Sequence, residues 1–564
     1  MKTVRMMLFV GVIVALLLTA CGGPAPAATT APPAANPTAP AVPPTEVVAP
    51  ATEVPPPPTE APPPPAEPQT LIIAMDTADL ITLDPAVAGE STNQFIHANV
   101  YDTLLEYKAP DYYTPIPRLA DSWEVSSDGK TWTFNLKQGV TFSSGNPVTA
   151  DDVVFSWLRD KYMAVNGMFS IVDNVEAVDP NTVKVTLSAP AADFLPMVSH
   201  PGWGILDSVV VKAHGGVATP DTATADTAKL WLDQNSAGSA AYILTKWAPK
   251  AEVDMEVNPN YRGEKPFFDK VIIKDASDPT ATLQMLQTGD ADIVPYVDIN
   301  LDEQAKSDPN LQVFVNQSQD TYYFAMTSKC TTEVSPETAA ILCKPDVRKA
   351  IANAIDYDGL IKQILKGYGL HAPAILPIGM SVIDPALGPK YDVAKAKEYL
   401  TKAGYANGFT MDLTYNSNPQ RDTIAAKIKN DLAAVGITAN LKPLETTVYL
   451  TQMRAQQLPV GFGGWTPDYL DPTLWTDNYS CLDLQIAHRM WYDSKAACDL
   501  GHQIKSELDT TKRQQEITQL QQIWLDDMPF FNLYQPQYIS AMNKDIKGFV
   551  YHPARFMDLA ALSK

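Results

Sequence analysis

The chain has 564 residues, 45% of them apolar, and a formal net charge of −22 at pH 7. One hydrophobic core does not grow to that size, so about two to four domains are expected. The acidic body carries no cluster of Lys and Arg, which excludes nucleic acid and anionic lipid as partners and leaves solubility as the simplest use of the charge.

Residues 1–20 read as a secretory signal peptide: a basic start at Lys2 and Arg5, an apolar run from Met6 to Leu18, and the small pair Thr19-Ala20 before Cys21. The run is too short to cross a bilayer comfortably as a permanent helix. The sequence Leu18-Thr19-Ala20-Cys21 resembles a bacterial lipobox, which implies that Cys21 becomes the acylated first residue of the mature protein. Lipid alone would then hold the protein at the outer, extracytoplasmic face of the cytoplasmic membrane. Loss of Lys2 and Arg5 takes the formal charge from −22 to −24. No later apolar run reaches membrane-spanning length. Residues 21–69 are a Pro/Ala/Thr tether in which Glu46, Glu53, Glu60 and Glu67 recur in a seven-residue register. Such a composition does not offset the entropy of ordering and favours extended polyproline geometry. At roughly 3.1 Å per residue it reaches up to about 150 Å from the membrane.

The folded body should begin at Thr70. TLIIAM reads as a strand, followed by a turn, a small polar loop at Ala88–Thr92, and a helix burying Phe95, Val100, Leu104 and Leu105. The loop, with Gly89, Glu90 and Ser91, is polar enough to line a cleft; a helix start capped by Ser91 or Thr92 explains it equally well. Trp132, Phe134 and Leu136 alternate after the turn Ser127-Asp128-Gly129, the pattern of a hairpin with one buried face. Thr149 opens a helix whose first turn carries Asp151 and Asp152, and the helix dipole accounts for both acids better than catalysis does. VEAVDPNTVKVTLSAP adds two strands, and a Gly/Ala/Thr-rich passage leads to about Ala228. Three further strands, the helix ATLQMLQTG with Leu283 and Leu286 inward, and another strand make an α/β unit. After Tyr322-Tyr323-Phe324 the helices lengthen. Asp356 and Asp392 are expected as N-caps, Gly367, Gly404 and Gly436 as stops, with Ile424, Ile428 and Leu432 as one apolar stripe. The strands FTMDLTYN and ITANLKPL alternate with these helices in a second α/β lobe, and the late strand FFNLYQPQYISAMN is placed to return the chain to the first lobe.

Four cysteines remain besides Cys21. Cys330, Cys343, Cys481 and Cys498 suit two bridges in an exported protein; sequential pairing closes two short loops, and three connectivities are open. Neither spacing is that of a zinc site, so no metal or cofactor is expected.

The stretch GFGGWTPDYLDPTLW, residues 461–475, concentrates the ingredients of a recognition site. Its glycines permit close approach of a ligand, and Pro467 and Pro472 stiffen the residues after them. Trp465 and Tyr469 offer apolar faces with polar tips. Asp471 precedes Pro-Thr-Leu-Trp, where a helix N-cap is the ordinary explanation. Asp468 stands between aromatics, either to accept hydrogen bonds from a ligand's ammonium group or to shape the loop as an Asx-turn.

Six separated phrases then agree: PRLADSWEVSSDGKTWTFNLKQGVTFSSGNPVTADDVVFS, VNPNYRGEKPFFDKVIIK, TLQMLQTGDADIV, DVRKAIANAIDYDGLI, YDVAKAKEYLTKAGY and GWTPDYLDP. From Thr70 to Lys564 the chain resembles the oligopeptide- and dipeptide-binding solute receptors of bacterial ABC importers, family 5. The resemblance implies an α/β fold, a periplasmic-binding-protein-like two-lobed clamshell of class II (cluster C) with an inserted domain. It divides the body into lobe I (70–112, 228–322 and 530–564), the inserted domain (113–227) and lobe II (323–529). It implies a monomeric receptor for short peptides that delivers them to permease subunits, and it makes Asp468 the acceptor of the peptide ammonium. The expected ligand contacts are Gly464, Trp465, Thr466, Asp468 and Tyr469, the rim Gly89, Glu90 and Ser91, and Arg421. The pair Cys481–Cys498 also resembles a bridge of the dipeptide-binding branch. The chain departs from the family at Ser239-Ala240-Ala241-Tyr242, which replaces GTGPY, and in having only Arg421 and Arg454 as candidates for the peptide carboxylate. Relatives of this fold carry other solutes, so an oligosaccharide stacked on Trp465, Tyr469 and Trp475 is the alternative ligand. Against a hydrolase stand the lack of GxSxG, HExxH and P-loop motifs and seven scattered histidines; no enzyme is expected.

Overall fold

The computed structural model describes residues 68–564 except 110, 166, 334, 381–386 and the side chain of Gln485. The expected signal peptide, the lipidation site Cys21 and nearly all of the tether lie outside the described residues. Among the described residues no helix is long and apolar enough to cross a membrane.

The strand Phe530–Asn543 has 14 residues, spans about 46 Å, and serves both lobes. Its C-terminal half pairs antiparallel with Ile293–Val297 and Leu311–Gln317, and its N-terminal half with Thr321–Met326. Residues 530–534 therefore lie in the second lobe's sheet, and the boundary expected at 530 falls at the start of a shared strand. Pro536 sits where the ladder passes from one partner to the next, a position that tolerates a residue without an N–H. Gln535 pins this crossing from within: its amide donates to Ser318 O at 2.6 Å and accepts from Ile378 N at 2.7 Å.

In the first lobe Thr70–Met75 runs parallel to both Lys270–Asp275 and Ile293–Val297, burying Leu71 and Ile73. Glu252–Val257 and Tyr242–Ala248 extend the sheet antiparallel. The helix Pro279–Thr288 covers it with Leu283 and Leu286, capped by Asp278 and ended by Gly289 at φ 82°. In the second lobe the sheet order is Ile437–Leu444, Phe409–Asn416, Val460–Trp465, Thr321–Met326 and the shared strand. Asp356 and Asp392 cap their helices as expected, on Gly359 N and Lys395 N.

A separate four-stranded antiparallel sheet (Ala120–Val125, Thr131–Leu136, Thr182–Leu187, Val172–Asp179) carries the helix Ala150–Met163. Asp152 accepts from Thr149 N, Thr149 Oγ1 and Ser208 N, so this acid holds the helix start. The apolar core of this sheet runs without a break from Trp132, Phe134 and Trp157 into Tyr469, Trp475 and Trp524 of the second lobe.

Two expectations change near the N-terminus. The helix is Ser91–Val100 and stops because Tyr101 is extended (φ −120°, ψ 134°), leaving Leu104 and Leu105 buried beyond it. Its N-cap position is Glu90, without a side-chain cap bond, so neither Ser91 nor Thr92 caps it. Of the three disulfide connectivities the sequential one is present, Cys330–Cys343 and Cys481–Cys498.

Candidate ligand-binding site

The strand Val460–Trp465 delivers the loop 466–471 to the space between the lobes and the four-stranded sheet. Its glycines serve the fold. A Cβ on Gly461 would meet Tyr449 Oη at 2.6 Å, and one on Gly464 would meet the Tyr322 ring at 3.3 Å. Gly461 and Gly464 thus make room for two tyrosines, a use in the fold that stands beside the expected approach of backbone to a ligand.

Asp471 is structural, one residue outside its expected place. The helix is Thr473–Asn478 with Pro472 at its N-cap position, and Asp471 accepts from Thr473 N at 2.8 Å. It is buried in a two-pronged ion pair with Arg513, whose Nη1 donates to Oδ2 at 3.0 Å. Tyr469 is buried, and its hydroxyl donates at 2.6 Å to Oδ2 of Asp193, which stands at the start of the short helix Phe194–Val198. Burial, and then the charge of Asp471, push the Asp193 carboxyl up to about 6. The loop is thus clamped directly after Asp468, to Asp193 through Tyr469 and to Arg513 through Asp471.

Asp468 itself differs from every acid around it. It makes no hydrogen bond or ion pair with a described residue. Its side chain is open to water inside a cavity of about 310 Å³, yet protein encloses it enough that burial alone raises its carboxyl above the ordinary range. Across the cavity Asp102 shows the opposite state. It accepts from Arg118 Nε at 2.6 Å, Ser239 Oγ at 2.7 Å and Arg262 Nη1. Burial by itself would raise its carboxyl, but the two guanidiniums hold it well below the usual carboxylate range. The Ser239-Ala240-Ala241 departure is used here: Ser239 joins this clamp, and Ala240 and Ala241 line the cavity.

An aromatic wall completes the cavity. Tyr112 meets the His552 ring edge-on at 4.7 Å, His552 stacks on Phe556 at 4.9 Å, and His200 meets Phe556 edge-on at 6.1 Å. Burial lowers both imidazoles to about 3, so they are neutral at physiological pH.

The other expected contacts fall elsewhere. Gly89, Glu90 and Ser91 do not line this cavity; Glu90 Oε2 accepts from Gly89 N at 3.1 Å, closing the loop on itself. Trp465 is partly buried, edge-on to Tyr479 at 6.3 Å. Trp475 is fully buried, which removes it from the sugar-stacking set: its ring is core. Arg421 lies with its guanidinium 5.8 Å from the Tyr322 ring, which in turn stacks on Tyr534 at 4.6 Å, and its Nε is buried without a hydrogen-bond partner among the described residues. Arg454 is an exposed last residue of its helix. Thr466 Oγ1 takes a bond from Arg555 Nη2 at 3.2 Å.

That arginine was not legible in the sequence. Arg555 pairs with Asp320, donates to Tyr538 Oη at 2.8 Å, and links the C-terminal segment to the interlobe connection and the loop at once. The partners are 235 residues apart, with no motif to join them. His200 and His552 were no more legible, because neither stands in a metal-ligand spacing.

The family model described as bacterial extracellular solute-binding proteins, family 5 Middle, matches residues 114–481. The chain is 30% identical over 495 residues to the probable D,D-dipeptide-binding periplasmic protein DdpA of Escherichia coli, covering 86% of this chain and 92% of that one. It is 27% identical over 485 residues to the dipeptide-binding protein of the same organism, covering 80% and 87%. Among solved structures, HbpA2 of Haemophilus parasuis superposes with a TM-score of 0.76 at 25% identity, covering 88% of this chain and 99% of that one. The ABC transporter-associated periplasmic binding protein DppA of Helicobacter pylori, in complex with the peptide STSA, gives 0.69 at 25% identity, covering 87% and 97%.

Proposed function

The chain belongs to the bacterial extracellular solute-binding proteins of family 5, and from that premise we propose that it captures short peptides between its lobes and passes them to the permease of an ABC importer. The observation that carries this reading is Asp468. A carboxylate raised in pKa by burial, open to a cavity and without an internal cation is most stable when a ligand supplies one. A peptide's α-ammonium does so, and the clamps at Asp471 and Tyr469 hold the acid in place for it. The names of the two Escherichia coli relatives and the peptide held by the Helicobacter protein support the same class of ligand.

In this reading Arg421, or Arg555 once freed from Asp320, meets the peptide carboxylate, while Gly464, Trp465 and Thr466 border the ligand. The rim Gly89, Glu90 and Ser91 belongs to the opposing lobe. Lobe I (70–112, 228–322 and 535–564) and lobe II (323–534) close by rotation about the shared strand. Lipid on Cys21 and the tether 21–69 keep a monomeric body outside the cytoplasmic membrane. The protein is a receptor and not an enzyme. The oligosaccharide alternative loses its stacking platform, since Trp475 is core and Tyr469 is buried with its hydroxyl engaged.

Isothermal titration of the protein with a dipeptide and its N-acetylated form tests the reading. Binding of the free amine and loss of binding on acetylation are expected. Equal binding of the two forms, or capture of a neutral sugar instead, would overturn it.

A further inference from the structure

The disulfide Cys481–Cys498 has a neighbour that Cys330–Cys343 lacks. His502 Nε2 lies 3.5 Å from Cys481 Sγ, and the two sulfurs and this nitrogen all fall within 4.8 Å of one another. Among the described residues no other three His, Cys, Asp or Glu side chains bring their ligand atoms so close together. Cys498 and His502 stand four positions apart on the helix Lys495–Ser506 and so share one face, while Cys481 follows the helix Thr473–Asn478. The cysteines are separated by 17 in sequence, which is not the spacing of a metal motif, so the trio is visible only in the fold.

The covalent bond is not what holds these residues together. Gly501 is buried, and a Cβ there would meet Thr476 O at 2.9 Å and Ser480 Cβ at 3.1 Å, so the helix lies directly against the segment that carries Cys481. One turn further on, Lys505 Nζ donates to Asp477 Oδ2 at 2.6 Å and ties the same two segments. Both contacts remain when the bridge is opened. Tetrahedral zinc, with Zn–S of about 2.3 Å and Zn–N of about 2.0–2.1 Å, sets a sulfur and a nitrogen ligand roughly 3.6 Å apart and two sulfurs roughly 3.8 Å apart. The distance from His502 to Cys481 already matches the first figure. The second is longer than any sulfur–sulfur bond, so bridge and metal exclude one another.

We propose that reduction of this disulfide creates a zinc site, with the Cys481 and Cys498 thiolates and His502 Nε2 as three ligands and water as the fourth. The two electrons come from a dithiol. Its first thiolate attacks the sulfur of Cys498, the less buried cysteine, and expels the Cys481 thiolate; its second thiol then displaces Cys498, and the reductant leaves as a cyclic disulfide. Zinc takes both sulfurs and releases two thiol protons to water, while His502 binds through the lone pair of its Nδ1–H tautomer. His502 is exposed, so ion and reductant reach the site from solvent. The metal replaces the cross-link that reduction removes, and it does so whether or not the ligand of the receptor is a peptide.

Zinc titration of the full chain against a chromophoric zinc indicator, with the dithiol removed beforehand and oxygen excluded, tests this. The reduced chain should take up about one equivalent and the bridged chain under about a tenth of one. His502→Ala, at an exposed position, should weaken uptake by the reduced chain at least about 100-fold. Cys330→Ser with Cys343→Ser should leave the uptake unchanged, which separates this site from the other freed thiols. Zinc should also raise the urea midpoint of the reduced chain and leave that of the bridged chain where it is. No uptake by the reduced chain, equal uptake by the bridged chain, or equal affinity in His502→Ala would each overturn the site.

Discussion

The clamp around Asp102 and the loop around Asp468 face one cavity with the same chemical group in opposite states. Asp102 receives donors from Arg118, Arg262 and Ser239 and is depressed in pKa; Asp468 receives none and is raised. A carboxylate whose acceptor capacity is filled from within holds the lobe together, and one that is enclosed but unfilled is the kind that the proposed amine contact would use. The contrast separates architecture from recognition more sharply than residue type does, because both are aspartates beside aromatic rings.

Breaking the clamp should have the largest effect. Asp102→Ala strands two guanidiniums and is expected to lower stability by about 3–5 kcal/mol in urea denaturation; a loss under about 1 kcal/mol would place Asp102 with the dispensable acids. Asp468→Asn should leave the urea midpoint unchanged or slightly higher, since it removes an enclosed unpaired charge. The same substitution should weaken an amine-bearing peptide by about 100-fold, or roughly 3 kcal/mol. Unaltered affinity in that variant would end the distinction.

A third acid lies between the two cases. Asp193 accepts from Tyr469 but sits beside Asp471, and its folded pKa of about 6 exceeds the ordinary aspartate value of 3.8. The folded state then binds more protons than the unfolded state in that window, so stability falls as pH rises from about 4 to about 6 and is level above. Asp193→Asn should remove this slope and gain about 2 kcal/mol at pH 7 relative to its difference from the parent at pH 4. The smallest effect is on binding. Because the free Asp468 carboxyl is raised and an ammonium would lower it again, peptide affinity should weaken as pH drops through the raised pKa, by at most about tenfold per unit, with proton release seen in calorimetry. Affinity that is flat from pH 7 to pH 4 would show that Asp468 does not meet the amine.

Much of the frame is legible without coordinates because it rests on local rules. Asp356 and Asp392 cap, Gly289, Gly367 and Gly404 adopt positive φ, and Leu283 and Leu286 face inward, as spacing alone indicates. Local rules also misplace things when a partner is distant. Trp475 suggests a sugar platform until it is found in the core, and the need of Gly461 to spare Tyr449 is visible only once the two are packed together.

Periodicity, caps and turn residues act within a few positions, so the amino-acid order alone determined the alternating α/β elements, the family resemblance and the choice of Asp468 over Asp471. Whether a carboxylate is filled or open depends on groups such as Arg513, 42 residues away, and Arg262, 160 residues away, and only the folded chain brings those within hydrogen-bond reach. The Asp320–Arg555 pair and the strand shared by both lobes were decided there for the same reason: each is a contact between segments that local sequence does not connect.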